Sequence, residues 1–380
     1  MTEIIETTDV EAKADIVDIA VERYKQGLLT RRGFIAAMGA LGILPALSGK
    51  TLAATKEIIV VNWGGKAKDI LQEVMCDTYT KETGIKVTVD GAGPSAGKIR
   101  AMVESNAVVW DLCDSGAGSA LILEKAGVSQ PIDYSIVDKS KVLEGAVYNN
   151  GVGNYVYSYV LASNPKLLGG NVPQSWEDVW NVKDFPGMRT FRKSVRGMLE
   201  SATMSMGVAP KDVYEALGTD DGIKAAIDRF RQLRENIIVW GSGSESQNLF
   251  LQEEVAIGNI WSTRAHLLKD QMEEGTFTVT FNGGVVAPGI WVVPKNNPAG
   301  TEEVMKFIAH AQTPELQVKW LEMIGCGPAN PAAAALVPDS MQKWNPSSPE
   351  NLATQIMYND TWYAKNQISA EELYVDALIN

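Results

Sequence analysis

The alternation of strand and helix patterns after residue 56 constrains the fold of this chain more than any other feature. The predicted elements run in the order strand Glu57–Asn62, helix Asp69–Thr80, strand Ile85–Asp90, helix Ala96–Glu104, strand Val108–Cys113 and a helix through Leu121-Ile122-Leu123. Three strand–helix repeats in succession predict a parallel sheet with helices packed on it.

Small, flexible residues occupy the loops at one edge of this predicted sheet. The loops are Trp63-Gly64-Gly65, Gly91–Gly97 and Asp114–Gly118, each following a strand pattern. Parallel sheets bind ligands beyond the carboxyl ends of their strands, and glycine lets backbone N–H groups approach a ligand closely. We therefore expect a ligand site at this edge.

The length of 380 residues predicts two domains or lobes. A second set of strand and helix patterns begins after Tyr155–Leu161, and Val285–Pro294 is predicted to be a strand that crosses back. A proline-rich irregular stretch precedes a terminal helix near Ala370–Leu378.

The N-terminal residues 1–54 have the pattern of an export signal. Thr30-Arg31-Arg32-Gly33-Phe34-Ile35 resembles a twin-arginine signal, and an apolar run from Phe34 to Leu47 follows. Thr51-Leu52-Ala53-Ala54 then supplies small residues for a signal peptidase. We expect export to the periplasm by the twin-arginine route, with the leader removed and without a role in the fold.

Charge and cysteine content narrow the possible functions. A formal net charge of −12 disfavours nucleic acid as a partner. Cys76, Cys113 and Cys326 form an odd set, and buried thiols are the simpler interpretation, with one disulfide as the alternative.

Several short stretches together resemble one known family. They are Val61-Asn62-Trp63-Gly64-Gly65, Pro173-Gln174-Ser175-Trp176-Glu177-Asp178-Val179-Trp180, Asp184-Phe185-Pro186-Gly187, Ile237-Ile238-Val239-Trp240-Gly241-Ser242-Gly243, Gly258-Asn259-Ile260-Trp261, Ile290-Trp291-Val292-Val293-Pro294-Lys295 and Ile324-Gly325-Cys326-Gly327-Pro328-Ala329-Asn330. In this order and spacing they resemble the extracellular solute-binding proteins of ABC importers, related to the spermidine/putrescine-binding proteins.

The resemblance implies a two-lobed, type II periplasmic-binding-protein-like α/β fold with a ligand cleft between lobes joined by two crossing strands. It places residues 55–158 and 286–326 in lobe 1, and residues 159–285 and 327–380 in lobe 2. It further implies a monomeric mature protein without a cofactor, which delivers a small solute to a transmembrane permease by hinge closure.

The residues expected to line the cleft differ in charge from those of polyamine binders, which hold amines with carboxylates and aromatic rings. Here the two corresponding stretches, Phe191–Gly197 and Val286–Ile290, contain no acid, and the first holds Arg192, Lys193 and Arg196. Together with Arg264 at a predicted helix start, they favour an anionic or zwitterionic, carboxylate-bearing solute.

Alternatives accompany this interpretation. The bases in Phe191–Gly197 fit a solvated rim equally well. In the alternative for Arg264, its side chain points outward from the helix and neutralises Glu253 or Glu254. A polyamine remains the alternative ligand.

The aromatic residues have alternatives too. Trp63 and Trp261 suit either a ligand platform or a core. The alternating Tyr155, Tyr157 and Tyr159 suit hinge packing or a pocket wall, and tyrosine also suggests ferric-ion binding, although no matching carboxylate cluster accompanies them.

The sequence predicts a set of ligand-binding residues on loops and helix starts. They are Asn62, Trp63, Gly64, Ser95, Ser115, Gly116, Arg192, Arg196, Ser244, Gln247, Trp261, Arg264 and Gly289. No metal-binding or catalytic residues are predicted.

An exported redox enzyme is the main alternative from another class. The chain has only His266 and His310 and no spaced cysteine, zinc-binding or nucleophile-elbow motif. His266 lies in an apolar helix pattern and suits a structural role, so we expect no enzymatic activity. A sensor-type binding protein has the same sequence pattern as a transport protein.

Overall fold

The computed structural model describes residues 57–379 and, nearer the N-terminus, residues 17, 19–21, 23, 33 and 34. Arg31, Arg32 and the predicted cleavage site at Ala53-Ala54 lie outside the described residues. The chain forms two compact units. Unit 1 contains the described residues up to Tyr155, with Pro288–Trp320 and Ala329–Ala333, and unit 2 contains Val156–Ala287, Leu321–Pro328 and the chain from Ala334 onward.

The strands are short except for two that run from one unit into the other. In chain order they are β1 (Glu57–Val61), β2 (Lys86–Asp90), β3 (Leu112–Gly116), β4 (Val147–Tyr148), β5 (Gly151–Ser163), β6 (Arg189–Arg192), β7 (Ile237–Trp240), β8 (Ile257–Trp261), β9 (Thr278–Val292), β10 (Gly327–Pro328) and β11 (Ile356–Met357). The two strands shared by both units are β5 and β9.

The α-helices from residue 57 onward lie between or after these strands, in places two or three in succession. They are α1 (Lys66–Leu71), α2 (Asp77–Thr83), α3 (Ala96–Glu104), α4 (Ala117–Lys125), α5 (Trp176–Trp180), α6 (Met198–Met204), α7 (Val213–Ala216), α8 (Asp220–Arg231), α9 (Gly243–Leu251), α10 (Ser262–Leu268), α11 (Thr301–Ala311), α12 (Pro314–Ile324), α13 (Asp339–Gln342), α14 (Pro349–Leu352) and α15 (Asp360–Ile379). A π-helical turn, Gln72–Cys76, joins α1 to α2. Within the part of the chain that the structure describes, no helix is long and apolar enough to span a membrane.

The sheet of unit 1 is mixed rather than purely parallel. Strand β1 pairs in parallel with β2 and β3, as the sequence predicts. Strand β9 pairs antiparallel with β3, in a register that joins Gly116 to Gly289 and Cys113 to Val292. Residue numbers on β9 rise as those on β3 fall. Strand β9 therefore enters unit 1 at the carboxyl end of β3 and runs antiparallel to it.

Strand β3 begins later than the sequence predicts. The apolar run Val108–Cys113 suggests a strand there, but β3 starts at Leu112 and ends at Gly116. Val109 and Trp110 are buried outside the strand, and Trp110 Nε1 donates to Asp90 Oδ2 at 3.1 Å. Residues 108–110 are apolar and mostly buried but do not pair in a strand, which is why the predicted strand lies too early in the sequence. The segment Asp114–Gly116, predicted to be a loop, is the end of β3.

Helices pack on the sheet of unit 1 through aromatic side chains. Tyr79 meets Phe307 edge to face at a ring-centroid distance of 5.3 Å, and Phe307 also contacts Trp291 on β9 at 6.4 Å. Near the N-terminus, Arg23 is buried and donates to Val109 O.

The sheet of unit 2 brings the ends of β6 and β8 together. Strand β6 pairs in parallel with both β7 and β8. Strand β8 pairs antiparallel with β5, and Trp261 lies opposite Tyr159 in that ladder. Because β6 and β8 run in the same direction, their last residues, Arg192 and Trp261, come to the same edge of the sheet.

An aromatic cluster forms the core behind this sheet. Phe230 on α8 lies 5.4 Å from Trp180, 5.0 Å from Phe191 and 4.9 Å from Tyr374, measured between ring centroids. Tyr374 belongs to α15, which begins at Asp360, ten residues before the predicted terminal helix. Asn359 Oδ1 accepts from Trp362 N at 2.9 Å and caps this earlier start.

Candidate functional site

Asn62 and Trp63 follow β1 directly, at the carboxyl edge of the sheet in unit 1. The Asn62 side chain is buried, and its Nδ2 donates to Asp114 Oδ2 at 2.8 Å. Trp63 is 52 % exposed, so it is not a core residue. A large aromatic side chain left half exposed beside buried polar groups is a feature of ligand sites.

The backbone conformation of this loop requires glycine at position 64. The φ of Gly64 is +72°, and an added Cβ would lie 2.9 Å from Gly91 O. Its N–H donates to Asn62 Oδ1 at 3.2 Å, which orients the Asn62 side-chain amide. Glycine at this position therefore holds Asn62 in the orientation that reaches Asp114.

Asp114 is the residue that the sequence analysis missed. It is fully buried near the end of β3, and Tyr155 from β5 donates its hydroxyl to Asp114 Oδ2 at 3.4 Å. Burial raises the pKa of the Asp114 carboxyl to about 7, against the opposing effect of its hydrogen-bond partners. The available signal was a lone acid after the apolar pair Leu112-Cys113.

Several buried polar atoms of Asp114 and of residues near it in the sheet have no partner within hydrogen-bond geometry. Among the described residues, Asp114 Oδ1, Ser115 Oγ and both amide atoms of Asn154 are buried and form no hydrogen bond. The Asn154 side chain nevertheless lies within reach of the Asp114 carboxyl and lowers its pKa through a long hydrogen bond. We call Asn62, Asp114, Ser115, Asn154 and Tyr155 the Asp114 cluster.

The other predicted residues of unit 1 have clear local roles. Ser95 is exposed and caps α3, since its Oγ accepts from Lys98 N at 3.2 Å. Gly116 is the N-cap residue of α4. Gly289 on β9 faces Tyr155, and an added Cβ would lie 2.6 Å from that ring. A side chain at Gly289 would therefore displace Tyr155 from Asp114.

Arg192 ends β6 and lies against two aromatic rings of unit 2. Its guanidinium carbon is 5.1 Å from the Trp261 ring centroid and 5.8 Å from that of Tyr159. Its Nη1 donates to the Tyr159 hydroxyl at 2.7 Å. None of the salt bridges formed by the described residues involves Arg192.

Trp261 carries a buried donor beside Arg192. Among the described residues its indole Nε1 has no hydrogen-bond acceptor, although the atom is buried. The rings of Trp240 and Tyr157 pack against it edge to face, at centroid distances of 5.1 and 6.4 Å. These contacts hold the indole in place.

Arg264 lies in the first turn of α10 and is buried. Its Nη1 is 3.4 Å from Gln247 Oε1, while Glu253 pairs instead with Lys166 at 2.9 Å. An added Cβ on Gly243 would lie 2.5 Å from Arg264 Nε and 3.1 Å from Trp261 Cε3. Arg264 and Trp261 therefore flank Gly243, and with Arg192 they form what we call the arginine–tryptophan cluster.

The remaining predicted residues of unit 2 lie at its margins. Arg196 is half-buried and donates through Nε and Nη2 to Gln367 Oε1, at 3.2 and 2.9 Å. Ser244 is exposed, with its Oγ 3.1 Å from Ser242 Oγ. Lys193, from the same basic stretch, is exposed and fits a solvated rim.

The sequence of residues 74–347 matches the model of the bacterial extracellular solute-binding protein family. The chain belongs to this family. The solute-binding protein is therefore the substrate-binding component of an ABC transporter, of a class that delivers ligands to a permease rather than an enzyme class. Membership also implies a periplasmic location.

Individual relatives agree with the family match. The solute-binding protein is 29 % identical to the gamma-aminobutyric acid-binding protein of Pseudomonas aeruginosa, over 81 % of this chain and 86 % of that protein. It is 22 % identical to spermidine/putrescine-binding periplasmic protein 1 of Haemophilus influenzae, over 70 % of this chain and 74 % of that protein.

A solved structure confirms the predicted fold class. The PBP MotA from A. tumefaciens B6, crystallised in complex with glucopine, superimposes with a TM-score of 0.78. The two chains are 28 % identical, and the match covers 85 % of this chain and 100 % of that chain. The two-lobed periplasmic-binding-protein-like α/β fold predicted from the sequence is thus confirmed.

The cysteines and His266 of the solute-binding protein are buried and have structural contacts. Cys76, Cys113 and Cys326 are buried thiols, and no disulfide joins any two of them. His266 is buried with its Nε2 3.0 Å from Glu322 O, and burial lowers its pKa to about 4. The described residues contain no group of three His, Cys, Asp or Glu side chains placed to hold a metal ion.

Proposed function

We propose that this protein captures a small anionic or zwitterionic solute through the solute's carboxylate, and that Arg192, Trp261 and Arg264 hold that carboxylate. The observation that carries the proposal is the pairing of Arg192 with a buried indole N–H that has no acceptor among the described residues. Buried donors are almost always hydrogen-bonded, so an acceptor from the solute is the natural partner.

The charge of the arginine–tryptophan cluster supports an anion. Guanidinium groups form bidentate, charge-assisted hydrogen bonds to carboxylates, and each such bond contributes about 1.5–3 kcal/mol. The aromatic faces beneath Arg192 limit its freedom, which lowers the entropy lost when a carboxylate binds.

A polyamine is the weaker alternative. An ammonium placed beside two guanidinium groups would lose its water and meet like charge, at a cost of several kcal/mol unless a carboxylate is paired with it. The relatives point the same way, because the gamma-aminobutyric acid-binding protein shares more of its sequence with this chain than the polyamine-binding one does.

The remaining predicted residues are also proposed as contacts of the solute, each within its own unit. We assign Trp63 as an aromatic contact of the solute, because its ring is half exposed beside the Asp114 cluster. The other proposed contacts are Asn62, Gly64, Ser95, Ser115, Gly116, Arg196, Ser244, Gln247 and Gly289.

The cellular setting follows from the sequence pattern and belongs to the same proposal. The precursor is exported folded by the twin-arginine route, the mature protein is a monomer, and it docks on a transmembrane permease without performing catalysis. The motif Thr30-Arg31-Arg32-Gly33-Phe34 supports the export route.

Calorimetric titration of the purified mature protein tests the proposal. The probes are 4-aminobutanoate, butanoate, glutarate, putrescine and spermidine, titrated into the wild type, Arg264→Ala and Arg231→Ala. Arg231 is the matched control, since it pairs with Asp228 and Asp376 on another surface of unit 2. We expect a carboxylate to bind, Arg264→Ala to lose most of that affinity and the control to keep it.

Two results would contradict the proposal. Binding of putrescine or spermidine without binding of any carboxylate would restore the polyamine alternative. Equal carboxylate affinity in the wild type and in Arg264→Ala would show that the Arg264 guanidinium does not hold the carboxylate.

A further inference from the structure

We infer that one face of the C-terminal helix α15 positions residues 192–197, which we call the basic loop, and leaves the charges of its arginines open to a solute carboxylate. The side chains that do so are positioning residues, because they contact the loop rather than the solute. This inference rests on the proposed function, which assigns the carboxylate to Arg192. The loop and the helix both belong to unit 2.

The side chains of α15 that contact the basic loop recur at every third or fourth residue. They are Tyr363, Gln367, Glu371 and Tyr374, within the helix Asp360–Ile379. At about 3.6 residues per turn, this spacing places all of them on one face of the helix. The two segments run in opposite directions, because the start of the loop contacts Tyr374 and its end contacts Tyr363.

Two tyrosine hydroxyls hold the ends of the basic loop through its backbone. The Tyr374 hydroxyl donates to Arg192 O at 2.7 Å. The Tyr363 hydroxyl accepts from Gly197 N at 3.0 Å and donates to Glu200 Oε2 at 2.8 Å. Both tyrosines are buried, so these hydrogen bonds form away from water and fix the backbone on either side of the loop.

Glu371 holds the middle of the basic loop. Its Oε2 accepts from Ser194 Oγ and from Val195 N, both at 3.1 Å. Hydrogen bonds to a carboxylate are stronger than those between neutral groups. None of the salt bridges formed by the described residues joins Glu371 to an arginine, so this acid binds the loop without neutralising its charge.

Gln367 holds the Arg196 side chain and also leaves it charged. Arg196 donates through Nε and Nη2 to Gln367 Oε1, at 3.2 and 2.9 Å. An amide oxygen accepts these bonds as a carboxylate would, but it carries no net charge. Neither Arg192 nor Arg196 takes part in the salt bridges of the described residues. The basic loop therefore presents two positive charges that attract an anion.

The same helix pairs a different arginine with an acid. Asp376 Oδ2, on α15, lies 3.1 Å from Arg231 Nη2, and Arg231 also pairs with Asp228. An arginine beside α15 is thus neutralised at one position and held by an amide at another. The amide at position 367 is therefore a specific feature of the face that contacts the basic loop.

Replacing Gln367 with Glu separates the positioning of Arg196 from its charge. Gln367→Glu keeps an acceptor at the same place and adds a negative charge beside the guanidinium. We expect carboxylate affinity to fall about 10-fold, because the added charge offsets that of Arg196, while the melting temperature stays equal or rises. A purely structural contact would change affinity and melting temperature in the same direction.

Calorimetric titration with 4-aminobutanoate, butanoate and glutarate measures the affinity, and thermal denaturation measures the stability. The control is Ser369→Glu, which adds the same charge at an exposed residue, about 200° around the helix from position 367. We expect the control to bind as the wild type does. Equal affinities of Gln367→Glu and the wild type would show that the charge of Arg196 is not kept for the solute.

Truncation of Glu371 tests the hold on the middle of the loop. In Glu371→Ala fewer molecules have the loop in its binding conformation, so we expect carboxylate affinity to fall about 3-fold to 10-fold. Glu371→Gln keeps an acceptor oxygen and restores most of the affinity. The control is Glu372→Ala, which removes an exposed carboxylate from the next residue. If Glu371→Ala binds as tightly as Glu372→Ala, α15 does not position the loop.

The outcomes distinguish this inference from the proposed function. Loss of affinity in Arg264→Ala, together with unchanged affinity in Gln367→Glu and Glu371→Ala, overturns the role of α15 and leaves the arginine–tryptophan cluster in place. Failure of the wild type to bind any of the three carboxylates overturns both.

A measurement on the wild type covers a variant that does not fold. Hydrogen exchange is followed in peptides from residues 192–197 and from α15, with and without the carboxylate. We expect binding to slow exchange in both, because a loop and the helix that holds it open together. Protection confined to the loop peptides would overturn the positioning role.

Discussion

Asn62 and Asp114, on different strands of unit 1, are joined by a hydrogen bond of 2.8 Å from Asn62 Nδ2 to Asp114 Oδ2. This bond ties the carboxyl end of β1 to that of β3 and uses one oxygen of the acid. The other oxygen has no donor within hydrogen-bond geometry among the described residues, although the Asn154 side chain lies close enough to lower the pKa of the acid.

Replacing Asp114 changes how stability depends on pH. The pKa is raised from its usual value to about 7 in the folded protein, so the folded state binds more protons than the unfolded state between about pH 4 and 7. Stability therefore falls as pH rises through this window, by about 1.4 kcal/mol for each unit of pKa shift. We expect Asp114→Asn to lose less stability than the wild type between pH 4.5 and 7.5.

Urea denaturation of the mature protein at several pH values measures this difference. Asp133→Asn is the control, since Asp133 is exposed and its carboxylate Oδ1 accepts from Ser135 N and Oγ. Parallel stability curves for the wild type and Asp114→Asn would refute the raised pKa.

Removing the indole N–H of Trp261 tests its role as a carboxylate donor. Trp261→Phe keeps an aromatic face for Arg192 but lacks Nε1, and we expect carboxylate affinity to fall about 10-fold, the value of one hydrogen bond to a charged group. Trp344→Phe is the control, because Trp344 packs edge to face against His266 and its replacement removes an indole N–H without changing Trp261. Calorimetry that gives equal affinities for both variants would exclude the N–H from binding.

A methyl group at Gly243 tests the position of Arg264. The added Cβ of Gly243→Ala would meet Arg264 Nε at 2.5 Å and displace the guanidinium, so we expect weaker carboxylate binding at an almost unchanged melting temperature. In Gly241→Ala the nearest atom to the new Cβ is Glu245 Oε2 at 3.4 Å, an ordinary contact. If Gly241→Ala weakens binding as much as Gly243→Ala does, displacement of Arg264 is not the cause.

The export route depends on the arginine pair of the leader. Changing both Arg31 and Arg32 to Lys retains the charge but alters the twin-arginine motif, so we expect the precursor to accumulate in the cytoplasm. Immunoblots of periplasmic and cytoplasmic fractions measure the distribution, with Lys25→Arg as a control outside the motif. Normal periplasmic levels of the double variant would rule out this route.

Local sequence patterns predicted much of the framework correctly. Helix α3 has the bounds that its pattern predicts, and β1 and β2 differ from theirs by one residue, because strong periodicity and glycine-rich stops act over a few residues. Family membership also followed from the sequence, since the order of its short stretches is a property of the chain itself. The patterns misplaced the bounds of β3, of α15 and of β9, which begins at Thr278 rather than Val285, because these bounds depend on ladder pairing and on contacts with distant segments.

The sequence and the tertiary structure each determine part of the charge of the proposed site. The sequence alone provided the bases near Arg192 and the absence of acids in two stretches, and thereby favoured a carboxylate. The sequence does not distinguish Asp114 from the other acids, because donor atoms after β1 and on β5 determine which carboxylate oxygen is hydrogen-bonded. Only the tertiary structure brings Asn62, Tyr155 and Asp114 together from three strands, and burial by that packing is what raises the pKa of the acid.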